Sequence, residues 1–381
     1  MSVYHQMGHD TINLVKEEHL MKFKGAILSP VNYTEDEIVK QVEYMRKKEN
    51  FEAIFDPQLY YPRTERKKLK DWSYFPSDVD TADITNEYWW HNVTDEVVKI
   101  CKKINCHSAC SPAFAPRSYT DDYYSLIVRV GNYFVEKVKN DSIEPIQTIL
   151  VGLNDLSSIS RSKHIASIIS QTLANRVYLI FVSDIEPRRE LNNANELKSA
   201  MKLIQSLEKA ELEVIVGCCS TEFILWKAAG ASSCATGKFF NLRRFTSSRF
   251  EEPKKGGGQL PYWFEENLLA FLRDSDLIRI KRNNLLNPVY ESNPYAIKIL
   301  EQMEKSPESA WLALSWRQYM YAFSDLENRI ENGLINIEQL LKQAEDNWIN
   351  LNNNNILMEE MTNNGSWVRI WRIALTEFKK N

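Results

Sequence analysis

The sequence predicts an α/β chain: a (β/α)8 barrel of TIM type that carries a C-terminal helical extension. Three observations carry this expectation. Short apolar runs alternate with helical patterns through the middle of the chain, which implies βαβ units and a parallel sheet. Runs such as Ile149-Leu-Val151 and Leu179-Ile-Phe-Val182 are continuously apolar, as strands buried on both faces require. Eight units fit within about 260 residues, the span of a closed barrel. No G-x-G-x-x-G follows the first strand, so an open dinucleotide-binding sheet is the lesser reading.

The elements follow in order. Residues 23–28 form an apolar run that stops at Ser29-Pro30, and Thr34-Glu-Asp-Glu37 reads as a capping box for a helix to about residue 48. Residues 51–55 give a second strand, stopped by Asp56-Pro57. A helix is expected over 94–104, a third strand over 107–110 and a helix over 121–139. The fourth strand spans 146–153, with a helix over 161–174, and the fifth spans 177–182, with a helix over 196–210. A sixth strand over 212–217 precedes a helix over 221–229. The small-residue run 232–235 is the seventh strand, and a helix over 262–274 with an eighth strand over 277–281 completes the count. Residues 1–22 thus read as an N-terminal arm, 23–285 as the barrel with a long insertion at 60–90, and 286–381 as a helical extension with an Asn-rich break at 352–355.

Net charge is -4, from 47 basic and 51 acidic residues, which argues against a protein that coats nucleic acid without specificity. A local basic groove is still allowed, because phosphate affinity follows the local field. No apolar run approaches the roughly 20 residues a membrane span needs. The first residues lack a signal-peptide core, so the expected location is cytoplasmic, with no membrane partner. The six cysteines form no C-x-x-C pair and read as reduced core thiols.

In a parallel barrel, ligands sit where strands end at their carboxyl side. The strongest signal there is Ala228-Ala-Gly-Ala-Ser-Ser-Cys-Ala-Thr-Gly-Lys-Phe-Phe-Asn-Leu-Arg-Arg-Phe245. Thr236, Gly237, Lys238, Asn241, Arg243 and Arg244 follow the small-residue strand, with Arg249, Lys254 and Lys255 beyond them. Backbone amides freed by glycine, next to fixed positive charge, suit a phosphate. Phe239, Phe240, Phe245 and Phe250 lie among these cations, and basic residues with aromatics suit a phosphate joined to a stackable base. Gly256-Gly-Gly258 reads as a hinge. The long insertion brings Arg63, Arg66 and Trp72 as a basic, aromatic lid.

Four carboxylates are candidates for acid, base or nucleophile: Asp56 before Pro57, Asp184 and Glu186 after the fifth strand, and Asp155 after the fourth. No clustered His and Asp suggests a metal centre, so no cofactor is expected. A metal-dependent hydrolysis, with a divalent ion, ranks second.

The run Gly217-Cys-Cys-Ser-Thr-Glu-Phe-Ile-Leu-Trp-Lys-Ala-Ala-Gly-Ala231 is similar in layout to the corresponding region of tRNA-guanine transglycosylases. That family has an Asp nucleophile late in the barrel and a Cys-rich zinc site. Here Ser-Ser-Cys-Ala-Thr stands where the Asp would be, and no matching cysteines occur, so no residue is carried over. The expected function is an enzyme acting on a phosphate-bearing substrate, a nucleotide or nucleic acid, by glycosyl transfer or hydrolysis in preference to phosphoester hydrolysis. The alternative is a non-catalytic nucleic-acid-binding scaffold subunit. The C-terminal helices would serve a homo-oligomer or a protein partner.

Overall fold

Eight parallel strands close into a ring in a computed structural model that describes residues 2–20, 22–253, 259–305 and 310–380. They are β1 (Val3–Gln6), β2 (Gly25–Leu28), β3 (Glu52–Phe55), β4 (Ser108–Cys110), β5 (Glu144–Gly152), β6 (Arg176–Val182), β7 (Glu213–Gly217) and β8 (Ser233–Thr236). Each strand pairs with the next, and β8 returns to β1 with Val3 opposite Cys234 and His5 opposite Thr236. The expected barrel is therefore present.

The strand count begins earlier than the sequence suggested. The segment read as an arm supplies β1, so the run at 23–28 is the second strand and the small-residue run is the eighth. Val3-Tyr-His-Gln6 carries little apolar signal because two of its side chains meet polar partners across the barrel. Gln6 accepts the Tyr178 hydroxyl at 2.7 Å, and the Tyr4 hydroxyl accepts from Arg176 at 2.9 Å.

The expected eighth strand is a helix, Asp274–Arg282. Leu277 and Ile280 are both buried, a spacing of three that follows the helical rather than the strand period. The expected helix before it is instead a hairpin, β9 (Trp263–Glu265) and β10 (Ala270–Leu272). Its open edge is closed by Gln318, which accepts from the Phe264 amide at 3.0 Å and donates to the Phe264 carbonyl at 2.9 Å. Such pairing satisfies backbone groups that an edge strand otherwise leaves open.

The expected capping box is formed, with the Thr34 amide donating to Glu37 and the Glu37 amide to Thr34 at the head of helix Glu35–Met45. The insertion after β3 ends earlier than read, because helix Glu87–Ile104 starts seven residues before the expected position, at an Asn86 cap.

The C-terminal helices are Pro294–Lys305, Leu312–Glu331, Ile337–Asn353 and Ser366–Lys380. They form part of the barrel's outer layer. Helix Phe223–Ala228 after β7 is short, and Leu312–Glu331 packs beside it, with Phe323 against Phe223 at 4.1 Å between ring centroids. The same helix reaches the first βα connection, where Asp325 pairs with Lys22 at 2.9 Å. Helix Ser366–Lys380 packs along Ala194–Lys209, the helix after β6. This is why the tryptophans of the extension, Trp311, Trp348, Trp367 and Trp371, are buried.

The amino end of the barrel is closed by charge. Arg176, with only 5% of its side chain exposed, pairs with Glu52 at 2.6 Å and Glu144 at 3.0 Å. A buried arginine in such a network is held by several acceptors at once. All six cysteines are buried and free of disulfides.

Candidate functional site

Polar groups gather at the carboxyl ends of the strands in two places. The first lies on the barrel axis. Asp56, at the end of β3, is buried and accepts from the Tyr60 hydroxyl at 2.9 and 3.0 Å and from the Gln58 amide at 3.0 Å. Burial pushes its carboxyl up to about 6, although these donors and Arg249 oppose the shift. Arg249 arrives from the segment after β8 and donates to the Met7 carbonyl at 3.1 Å and the Ser29 hydroxyl at 3.0 Å. Gln58 and Cys218 both adopt left-handed backbone conformations here, at φ 54° and 53°, an arrangement uncommon away from glycine. Burial also raises the Cys218 thiol to about 12, so it stays protonated.

This mouth is sealed. Tyr60 and Tyr61 pack against Phe245 and Phe250, with Tyr60 edge-on to both at 5.3 and 5.6 Å. The expected lid residues hold the seal in place. Arg66 donates to the carbonyls of Glu251 at 3.2 Å and Val31 at 3.4 Å, stapling the two long loops together. Arg63 is used within its own loop, donating to the Val79 carbonyl and the Thr81 hydroxyl at 2.9 Å each. Trp72 is core: it is 3% exposed, and its indole N–H donates to the Tyr33 carbonyl at 3.1 Å. Where the sequence suggested a basic, aromatic lid, these residues form a packed cover.

The second place lies off axis, between the loop after β8 and the C-terminal helices. Gly237 makes the turn possible. A Cβ there would lie 2.6 Å from the Gln6 carbonyl oxygen and 2.5 Å from Leu242 Cβ, so only glycine passes this close to β1. Thr236 is committed below the turn, bonded to the Cys219 carbonyl at 2.7 Å and the Tyr319 hydroxyl at 2.8 Å. Beyond the turn, Lys238, Asn241 and Arg243 line a cavity of about 350 Å³ together with Arg188, Phe239, Phe240, Tyr262 and Trp316. Lys238, Asn241 and Arg243 of the loop thus share one cavity with Phe239 and Phe240, whereas Phe245 and Phe250 pack against Tyr60 over Asp56.

Two cations of this cavity are buried with little compensation. Arg243 is buried, donates to the Gly237 and Lys238 carbonyls at 3.0 and 2.9 Å, and lies 3.5 Å from the Tyr319 ring centroid. Lys238 Nζ donates to the Asp10 carbonyl at 3.2 Å and sits over Trp316 at 4.4 Å and Phe239 at 4.6 Å. Among the described residues neither cation makes an ion pair. Burial lowers Lys238 to about 8 and Arg243 to about 10, outweighing the opposing influence of Asp10 on the first and of Tyr319 and Glu190 on the second. Asn241 Oδ1 is buried without a hydrogen-bond partner among the described residues.

A neighbouring cavity of about 330 Å³ shares Arg188, Phe240 and Tyr262 with the first, and is lined also by Glu186, Arg189 and Glu190. Glu190 was missed by the sequence reading. Burial first, and then the like charge of Glu222, push its carboxyl up to about 8. Glu222, which opens the helix after β7, is 3% exposed, and its nearest cation is Arg244 at 3.5 Å. Arg244, expected among the phosphate ligands, thus sits beside Glu222 and lines neither of these two cavities. The signal for Glu190 was the charged run Glu186-Pro-Arg-Arg-Glu190 after β6, which looks like any solvated loop.

The remaining expected carboxylates are not gathered into the cleft. Asp155 is held by Arg161 at 3.0 and 3.1 Å and by the Tyr124 hydroxyl at 3.0 Å. Asp184 is exposed and lines neither cavity, and Glu186, also exposed, borders the second one while pairing with Arg189 at 3.6 Å. Lys254, Lys255 and the expected hinge Gly256-Gly-Gly258 lie outside the described residues. Among the described residues no group of three or more His, Cys, Asp or Glu is placed to hold a metal, and no helix is long and apolar enough to cross a membrane.

No protein-family model and no curated protein sequence matches the chain. Solved structures do match in shape. The chain is similar to N-(5'-phosphoribosyl)anthranilate isomerase from Pyrococcus furiosus, at TM-score 0.37 and 8% identity over 66% of this chain and 96% of that one. It is also similar to an L-ribulose 3-epimerase, at TM-score 0.38 and 8% identity over 87% and 96% of the two chains. A third is an AP endonuclease of family 2 from Brucella melitensis, at TM-score 0.38 and 11% identity over 65% and 96%. At such values these likenesses carry no argument about activity; the barrel itself is read from its own strand pairing.

Proposed function

We propose that the chain is an enzyme acting on a phosphate-bearing substrate of nucleotide class, bound in the off-axis cleft. The observation that carries this reading is the pair Lys238 and Arg243. They are buried cations that make no direct ion pair among the described residues, set in a cavity walled by Phe239, Phe240, Tyr262 and Trp316. Keeping a charge out of water without a partner is costly, and a bound anion removes that cost. The aromatic walls suit a planar base, and the volume suits one nucleotide rather than a duplex. Its place beyond β8 is where barrels often bind phosphate. Glycosidic-bond cleavage or exchange is the favoured reaction, because carboxylates border the cleft.

A second reading is a binding scaffold without catalysis. It is favoured by the aromatic seal over the barrel axis, which covers Asp56. Calorimetric titration with adenosine 5′-monophosphate, adenosine and inorganic phosphate tests the site. The monophosphate should bind more tightly than either part alone. Equal affinity for adenosine and the monophosphate would remove the phosphate role.

A further inference from the structure

We propose that the second cavity of the cleft is a sugar subsite, so that the substrate class is a nucleoside diphosphate sugar. The nucleotide lies in the Lys238 cavity, and the sugar ring lies in the cavity lined by Glu190 and Trp367. The proposal rests on the reading of the cleft as a nucleotide site and names what that nucleotide carries.

Two residues that line this cavity of about 330 Å³ carry polar atoms that the fold leaves unused. Glu190 Oε2 and Trp367 Nε1 are both buried without a hydrogen-bond partner among the described residues. The neighbouring tryptophans differ. Trp348, 5.7 Å from Trp367 between ring centroids, donates its indole N–H to the Leu268 carbonyl at 2.9 Å. Trp371, one turn further along the same helix, donates to the Leu191 carbonyl at 2.7 Å. An unmet buried polar atom is destabilising, so two in the wall of one cavity point to a ligand that meets them. A ligand hydroxyl both donates and accepts, and so serves a spare acceptor and a spare donor alike.

The rest of the wall suits a neutral ligand. Arg188 and Arg189 are balanced by Glu186 and Glu360, which line the same cavity. Arg189 pairs with Glu186 at 3.6 Å, and Glu360 accepts from the Tyr262 hydroxyl at 2.9 Å. Burial, more than any other influence, keeps Glu190 protonated at neutral pH. Amide and hydroxyl groups of Asn192, Asn363 and Thr362 complete the polar lining, and Tyr262 gives it an aromatic face. Few charges to satisfy, many hydroxyl partners and one aromatic surface match a sugar ring better than a second anion.

The two cavities meet along Arg188, Phe240 and Tyr262, which line both. Tyr262 is held at that boundary. Its hydroxyl accepts from Arg188 at 3.3 Å and from Arg273 at 3.2 Å, and its ring is edge-on to Phe240 at 5.2 Å. An aromatic wall fixed before binding lowers the cost of ordering it. A nucleoside diphosphate sugar has the same order of parts as the cleft: base among the aromatics, anion at the cations, neutral ring beyond. Arg188, a guanidinium common to both cavities, suits the phosphate that joins the sugar. A nucleoside monophosphate would leave the second cavity unused.

The test titrates the full chain by calorimetry with uridine, adenosine and guanosine 5′-diphosphates and with their sugar esters. The esters are uridine diphosphate glucose, uridine diphosphate N-acetylglucosamine, adenosine diphosphate glucose and guanosine diphosphate mannose. At least one ester should bind about tenfold or more tightly than its own diphosphate. Trp367→Phe removes the indole N–H, and Glu190→Leu removes the carboxyl. Each should cut that advantage by about fivefold or more and leave the diphosphate within about threefold of wild type. Melts verify each fold; should one variant not fold, the other carries this arm, and the wild-type comparison stands without either. Esters that bind no more tightly than their diphosphates, or an advantage undiminished in a folded variant, overturn the sugar subsite and leave the nucleotide reading standing. Absence of binding by any of these ligands overturns both.

Discussion

The Arg243 guanidinium carbon lies 3.5 Å from the centroid of the Tyr319 ring, so a helix of the C-terminal region holds the charge of the loop after β8. A desolvated cation over an aromatic face gains about 2 kcal/mol, and Tyr319 adds a hydrogen bond to Thr236. Replacing it separates the two contributions. Tyr319→Phe should cost about 1 kcal/mol of stability and leave anion affinity nearly unchanged. Tyr319→Leu should cost about 2–4 kcal/mol and weaken binding of a nucleoside monophosphate by about tenfold. Chemical denaturation and calorimetric titration of both variants measure this.

Gly237 gives a backbone test. Because a Cβ there meets the Gln6 carbonyl and Leu242, Gly237→Ala should destabilise the fold by about 1–3 kcal/mol and displace Lys238. A denaturation midpoint equal to wild type would show that the turn does not pass β1 as closely as described.

Lys238, depressed to about 8 by burial, gives a proton-linkage prediction. At pH 8 roughly half of it is neutral. A bound phosphate favours the charged form, so binding should take up protons at pH 8 and not at pH 6. Titrations in buffers of different ionisation enthalpy measure the uptake, and Lys238→Met should abolish it.

Glu190 sets a stability trend with pH. Its folded value, about 8, lies above the ordinary 4.5, so the folded state holds the proton more tightly than the unfolded chain. The associated stability is complete below about pH 4.5 and is lost as pH rises to about 8. Glu190→Gln lacks this loss. The variant should gain on wild type as pH rises from about 5 to about 9. Thermal melts across that range check the sign.

Asp184 and Asp155 are expected to be dispensable for binding. Asp184→Asn changes an exposed side chain and should alter stability by no more than about 0.5 kcal/mol. Asp155→Asn breaks the Arg161 pair and should lower stability without changing nucleotide affinity. Affinity falling by tenfold in either variant would place a carboxylate in the cleft that the geometry leaves outside it.

Much of the barrel was legible because its strands are apolar on both faces and its helices are capped by Thr34, Thr120 and Asn193, residues with local chemistry. The first strand was not, because Tyr4 and Gln6 face polar partners that lie far along the chain, at Arg176 and Tyr178. The anion loop was legible from Gly237, Lys238, Asn241 and Arg243 as a local cluster. The fates of Arg244 and Arg249 were not, since both are set by tertiary partners, Glu222 and the Met7 carbonyl. Glu190 and Glu222 stand 32 positions apart and acquire their chemistry only when β6 and β7 come side by side.

The most direct measurement is the affinity of adenosine 5′-monophosphate for wild type and for Arg243→Ala, by calorimetry at low and high salt. The account predicts binding by wild type that weakens with salt, and a loss of at least tenfold in the variant, whose fold is verified by its melt. Equal affinity in the two proteins, unaffected by salt, would contradict it.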